Sequence, residues 1–218
     1  MVDIYCDSGD LEVIERFSRD DRIKGFTTNP SLLKKAGITK YMDFAQRAVS
    51  VCSGKPISLE VLADDFDTME KQARKLASLA SFVYVKIPVT NALGKSSNDL
   101  ICELSGFNLN VTAVMTHDQV EHVLPFMKSH HIVSIFNGRI TDTQRGAIHP
   151  IRPKDGPKYL WASARQVGNV HDAKRLKYDI ITLTPDLIAK LPLNGKDLSE
   201  YSLETVKQFY EDGKGIEF

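Results

Sequence analysis

In the run Phe82-Val83-Tyr84-Val85-Lys86-Ile87-Pro88-Val89 a single lysine is surrounded by β-branched, aromatic and aliphatic residues, the composition of a strand buried on both faces. Burial disfavours the charged form of an amine, and a neutral amine is a nucleophile toward carbonyl carbon. Lys86 is therefore a candidate for Schiff-base formation. Its plainer use is at a strand end, where the head reaches water along an apolar stem.

Other reactive residue types stand in or just after short β-rich runs. Asp7 follows the first, Thr28 ends the second with Asn29 just after it, and Glu60 lies in the third. Asn110 and Thr112 lie in the fifth, Ser134 in the sixth with Arg139 just beyond, and Ser163 and Arg165 follow the seventh. If these runs share one mouth, an acid, an amine, amides, hydroxyls and two guanidinium groups converge on it. Singly, each has an ordinary use: Asp7, Asn29 and Ser163 stand where helix caps are expected, and Arg165 suits a solvated first turn.

The positioning elements are read from periodicity. Strands are predicted over 2–6, 23–28, 56–61, 82–87, 109–113, 132–136, 159–162 and 180–184, with helical patterns between them such as 41–51, 66–79 and 120–127. No Ser/Gly linker or composition break divides the chain, so one domain over residues 1–218 is expected. About eight βα units in that length favour a single (β/α)8 TIM barrel, with a doubly wound open sheet as the alternative. The barrel places active sites at the carboxyl ends of its strands. An amphipathic helix over 198–210, running to about 212, follows the last unit and is expected to pack on the barrel or on a neighbouring subunit.

Composition excludes several classes. Lys plus Arg and Asp plus Glu are balanced at 28 each and interspersed, which leaves no basic footprint for nucleic acid. No apolar run approaches a membrane span, and Cys6, Cys52 and Cys102 are too scattered for a disulfide framework. A soluble cytoplasmic protein is expected. The six histidines lack zinc spacing and are expected on the surface or in loops, and no dinucleotide or P-loop fingerprint occurs.

The chain resembles the transaldolase family, in particular its short branch that also contains the fructose 6-phosphate aldolases. The resemblance rests on Asp7, Gly25-Phe26-Thr27-Thr28-Asn29-Pro30-Ser31, Ser58-Leu59-Glu60-Val61, Val85-Lys86-Ile87-Pro88, Asn110-Val111-Thr112-Ala113, Ser134 through Ile140, and Ala162-Ser163-Ala164-Arg165. It implies a (β/α)8 barrel, a Schiff base on Lys86, and no need for cofactor or metal. By the same resemblance Asp7 handles the proton of the C4 hydroxyl, Glu60 and Thr112 hold a water, and Asn29, Asn110 and Ser134 hold the three-carbon enamine. Thr28 belongs to the substrate-binding signature, and Arg139, Ser163 and Arg165 hold the distal phosphate of a sugar phosphate. Glu60 and Phe136 resemble the transaldolase branch, since the aldolases tend to carry Gln and Tyr there. Two residues depart from the pattern: Asn137 stands where an apolar residue is expected, and Ala164 where an aromatic is common.

The expected activity is transfer of a dihydroxyacetone unit from fructose 6-phosphate or sedoheptulose 7-phosphate to an aldose phosphate. The alternatives are an aldolase that releases free dihydroxyacetone and a catalytically silent binding barrel. Short members of the resembled family form pentamers, often stacked as decamers, through the C-terminal helix, so a homo-oligomer is expected here.

Overall fold

The computed structural model describes residues 2–217. Among them eight parallel strands close into a barrel in sequence order: β1 Asp3–Asp7, β2 Ile23–Thr27, β3 Ile57–Glu60, β4 Val83–Pro88, β5 Leu109–Val114, β6 Ile132–Ile135, β7 Lys158–Trp161 and β8 Ile180–Leu183. The helices are α1 Leu11–Ser18, α2 Pro30–Lys35, α3 Tyr41–Val51, α4 Phe66–Ala77, α5 Asn98–Glu103, α6 His117–Val123, α7 Asn137–Asp142, α8 Asn169–Arg175, α9 Pro185–Ala189 and α10 Leu198–Asp212. This is the (β/α)8 TIM barrel with an added C-terminal helix. Among the described residues no helix is long and apolar enough to cross a membrane.

The strands obey a period of two. Ile57, Leu59, Val83, Val85, Ile87, Val111, Val133, Ile135, Trp161 and Ile181 face the helices and form the outer core. Tyr5, Ile132, Leu160 and Ile180, with Tyr84, fill the lower barrel interior. Two residues further along the same inward rows come Asp7, Lys86, Ser134 and Thr182, which line a cavity at the carboxyl ends. These four inward rows thus change from plug to polar floor within one pleat. Gly25 belongs to the plug: a Cβ there would lie 2.6 Å from the Tyr5 ring, so the tyrosine occupies the space a side chain would need.

Several boundaries differ from the periodicity. β1 ends on Asp7 itself and β2 stops at Thr27, one residue short of Thr28. The pattern over 120–127 resolves into α6 and a 3-10 turn, Leu124–Phe126, because Pro125 cannot continue the α-helical hydrogen bonding. α6 instead starts upstream, where Thr116 and Gln119 form a reciprocal cap.

His131 lies in the loop at the foot of β6, one of the two placements expected for the histidines, but it is fully buried there. Its Nδ1 accepts from the Lys128 backbone N–H at 3.0 Å, which leaves Nε2 to donate to the Phe107 carbonyl at 3.1 Å. Burial pushes the imidazole down to about 4. Because the unfolded chain binds the proton near 6.5 and the fold near 4, this group's stability contribution is present above pH 6.5 and is lost as pH falls to about 4. The loss is on the order of 2 kcal/mol. Urea midpoints measured across that window should fall, and His131→Gln should flatten the decline; a decline unchanged in the variant would place the sensitivity elsewhere.

α10 contributes no buried residue to the barrel. Tyr201, Leu203, Val206, Phe209 and Tyr210 are all exposed.

Candidate active site

The cavity at the carboxyl end measures about 450 Å³, the size of a small-ligand site. Lys86 stands at its floor, 5% exposed, in register with Glu60 on one side and Asn110 on the other. The Nζ donates to the Thr28 carbonyl at 2.8 Å and lies 2.7 Å from Glu60 Oε2. The amine is therefore not alone in apolar surroundings, as its strand suggested, because the surrounding apolar residues face outward and Glu60 shares its inner face. A carboxylate at this distance both steadies the ammonium and is placed to take its proton.

Asp7 lines the same cavity. Its Oδ1 accepts from Thr27 Oγ1 at 2.7 Å, and its Oδ2 has only a long contact, 3.5 Å, from Asn29 Nδ2. Thr27 is in turn 2.6 Å from Thr182 Oγ1. Burial raises the Asp7 carboxyl above its ordinary value and the Glu60 charge adds to this, while Lys86 and the hydrogen bonds from Thr27 and Asn29 pull it back. Asn29 is also the cap of α2, its Oδ1 accepting from Leu32 N at 3.0 Å. The cap and site readings of this residue are both realised, one through each end of the amide.

Thr112 Oγ1 is buried and has no hydrogen-bond partner among the described residues, and the side chain lines the cavity. A bulge-like irregularity in β5 follows it, with Ala113 at φ 63°. Ser134 donates to Asn110 Oδ1 at 2.7 Å, and Asn110 donates to Ser58 Oγ at 3.0 Å. Asn110 is fully buried behind this row and does not line the cavity: it holds Ser134, which does. Thr28 is likewise outside the lining, because the strand ends before it and its hydroxyl turns to the Ser58 carbonyl at 3.1 Å. Thr27, at the polar end of the second strand, and Thr182, which stands in no sequence motif, also take inward places at the cavity. Their signal was the two-residue alternation, which carries Gly25 to Thr27 and Ile180 to Thr182.

At the opposite rim stand Phe136, Arg139 and Ser163. The Arg139 guanidinium sits 5.8 Å from the Phe136 ring centre and makes no ion pair among the described residues. Ser163 adopts φ 61°, and its carbonyl would lie 1.5 Å from a Cβ at residue 138, so only glycine fits the joint between α7 and the loop after β7. Arg165 is not in the lining. Asp142 grips it through Nε at 3.0 Å and Nη2 at 2.5 Å, on a half-exposed pair. Among the described residues no group of three or more His, Cys, Asp or Glu is placed to hold a metal ion.

Residues 4–218 match the family model described as Transaldolase/Fructose-6-phosphate aldolase. The chain belongs to that family. It is 31% identical over 210 residues to a protein of Methanococcus maripaludis strain C5 named "Probable transaldolase", with 90% of this chain and 94% of the relative covered. A "Probable transaldolase" of Rhodospirillum centenum is 32% identical over 209 residues, covering 90% and 88%. Of solved structures, a dihydrodipicolinate synthase from Rhodopseudomonas palustris superposes with a TM-score of 0.50 at 12% identity, covering 84% of this chain and 69% of that one. A dihydrodipicolinate synthase family protein from Coccidioides immitis gives 0.55 at 12%, covering 83% and 66%. At that identity the likeness concerns the fold alone.

Family membership gives Asn137 a context, since an apolar residue is expected there. In this transaldolase-type barrel Asn137 is fully buried and satisfied: its Nδ2 donates to Tyr178 Oη at 2.6 Å, and its Oδ1 accepts from Ile148 N at 2.9 Å. Tyr178 closes the ring by donating to the Ile148 carbonyl at 2.8 Å. The polar residue thus pins the long segment 143–157 to the start of α7, the helix that carries Arg139.

Proposed function

We propose that this protein transfers a dihydroxyacetone unit from fructose 6-phosphate or sedoheptulose 7-phosphate to an aldose phosphate, through a Schiff base on Lys86. The reading is carried by one observation: an amine and a carboxylate 2.7 Å apart on the floor of a cavity that Asp7 also lines. Glu60 takes a proton from Lys86, the freed amine adds to the C2 carbonyl, and loss of water leaves an iminium. Thr112, with an unused buried hydroxyl, supports the water that Glu60 exchanges in these steps. Asp7 then takes the C4 hydroxyl proton as the C3–C4 bond breaks, its electrons pass into the iminium, and the aldose phosphate leaves. The enamine that remains is held by Asn29 and Ser134 until an acceptor aldehyde arrives; the new C–C bond then forms, Asp7 returns the proton, and water hydrolyses the iminium to release the product ketose phosphate and free Lys86. Glu60 and Phe136 favour transfer over release. The test is the product from fructose 6-phosphate with and without erythrose 4-phosphate. Free dihydroxyacetone without an acceptor would mean an aldolase, and no borohydride-reducible adduct would mean a silent barrel.

Arg139 is the phosphate-gripping residue in this reading, and Arg165 joins only by leaving Asp142. Charge-assisted bonds to phosphate contribute ~1.5–3 kcal/mol, so Arg139→Ala should raise KM for a phosphorylated ketose roughly 10- to 100-fold and leave an unphosphorylated analogue nearly unaffected. Arg165→Ala should cost less, since its charge is already offset. Equal losses on both substrates would make Arg139 structural.

The exposed apolar residues of α10 support assembly as a homo-oligomer, a decamer of two pentamers by family resemblance. Light scattering on the intact chain and on one ending at Lys196 tests this, with a monomeric intact chain or an unchanged truncated assembly counting against it.

A further inference from the structure

The two threonine hydroxyls beside Asp7 form a chain whose direction the geometry fixes. Thr27 has one proton, and at 2.7 Å from Asp7 Oδ1 it gives that proton to the carboxylate. The 2.6 Å approach of Thr182 Oγ1 to Thr27 Oγ1 must then be a bond that Thr182 donates. Both threonines are buried, both line the cavity, and they lie on β2 and β8, the two strands that flank β1.

Accordingly, we propose that Thr182 is a positioning residue that, by donating to Thr27, orients the Thr27 proton onto Asp7 Oδ1 and leaves Oδ2 as the oxygen that takes the substrate's proton. This rests on the transfer reading above. Without Thr182 as donor, Thr27 is free to turn its proton elsewhere. With it, the acceptor side of Thr27 is occupied and its O–H is polarised toward the carboxylate. Oδ2 has only the 3.5 Å contact from Asn29, so it is the less saturated of the two oxygens. A donor aimed at the ionised form stabilises it, which keeps the base available at lower pH. The other charges around Asp7 are Lys86 on β4 and Glu60 on β3 across the cavity, Arg139 at the cavity's opposite rim, and Asp10, Lys35 and Asp186 in the groove of about 320 Å³ on its other side. A change at residue 182 leaves all of them in place, so a change in Asp7 titration can be assigned to the chain.

The experiment compares Thr182→Val, which keeps the shape and removes the hydroxyl, with Thr182→Ser, which restores it. Carboxyl-carbon NMR titration of the resting protein, with Asp7 identified by its disappearance in Asp7→Asn, reads the group without any turnover. In Thr182→Val the Asp7 midpoint, and the acid limb of kcat/KM with it, should move to higher pH by roughly 0.5; Thr182→Ser should return both to the wild-type position. An unchanged midpoint in Thr182→Val, whatever its activity or Tm, would overturn the proposal and reduce Thr182 to packing. Equal displacement in both variants would overturn it as well. If the wild type gives neither product nor trapped adduct, the transfer reading fails, while the NMR titration still decides what Thr182 does to Asp7.

Discussion

Lys86→Met is expected to abolish both turnover and borohydride trapping with fructose 6-phosphate, and peptide mapping of the wild type should place the reduced adduct on Lys86. Enzymic accelerations are about 10⁶-fold or more, and in the proposed sequence every step after substrate binding runs through the bond to this nitrogen. The substitution has a structural side that must be separated from the chemical one. It leaves Glu60, whose side chain is 14% exposed, without its partner, and removing one member of a buried pair costs up to about 3–5 kcal/mol when the survivor cannot reach water or protonate. Glu60 faces an open cavity, so a smaller loss of Tm is expected. The double variant Lys86→Met/Glu60→Gln should recover that Tm without recovering activity. Turnover in the double variant, or an adduct on another lysine, would move the nucleophile elsewhere.

The barrel was legible because each strand left its own mark: a short β-rich run followed by a helical pattern, eight times. The polar residues carried by the strands were legible too, in Glu60, Lys86, Asn110, Thr112 and Ser134. What the strands do not reveal is depth. Thr28 and Asn110 carry the right chemistry, yet the end of β2 and the position of Asn110 behind Ser134 turn them to supporting hydrogen bonds. Thr182 sat at the correct alternation but looked like an ordinary β-branched strand residue. Arg165 shows a different limit, because its partner Asp142 comes from α7, 23 residues away in sequence. No local pattern announces that pairing. The buried state of His131 was hidden in the same way, since its partners, Lys128 and Phe107, lie in turns that periodicity does not describe.

Asp7→Asn is expected to retain trapping at Lys86 and to lose cleavage by about 10²–10⁴-fold, the usual cost of a missing base. The amide keeps the shape of the carboxylate, and its oxygen can still accept from Thr27, so the floor of the cavity and the Lys86–Glu60 pair should persist. Because burial holds the Asp7 carboxyl above its ordinary value, the residue keeps its proton to higher pH than a surface aspartate, and the acid limb of wild-type kcat/KM should lie correspondingly high. That limb should vanish in the variant. Stability supplies an independent check. A carboxyl whose folded-state titration is raised costs the fold stability once it ionises, as pH rises through that titration, and the neutral amide does not. Tm at neutral pH should therefore not fall in Asp7→Asn, although its turnover does. Loss of trapping together with turnover would show instead that Asp7 shapes the lysine site, and the proton at C4 would then need another acceptor.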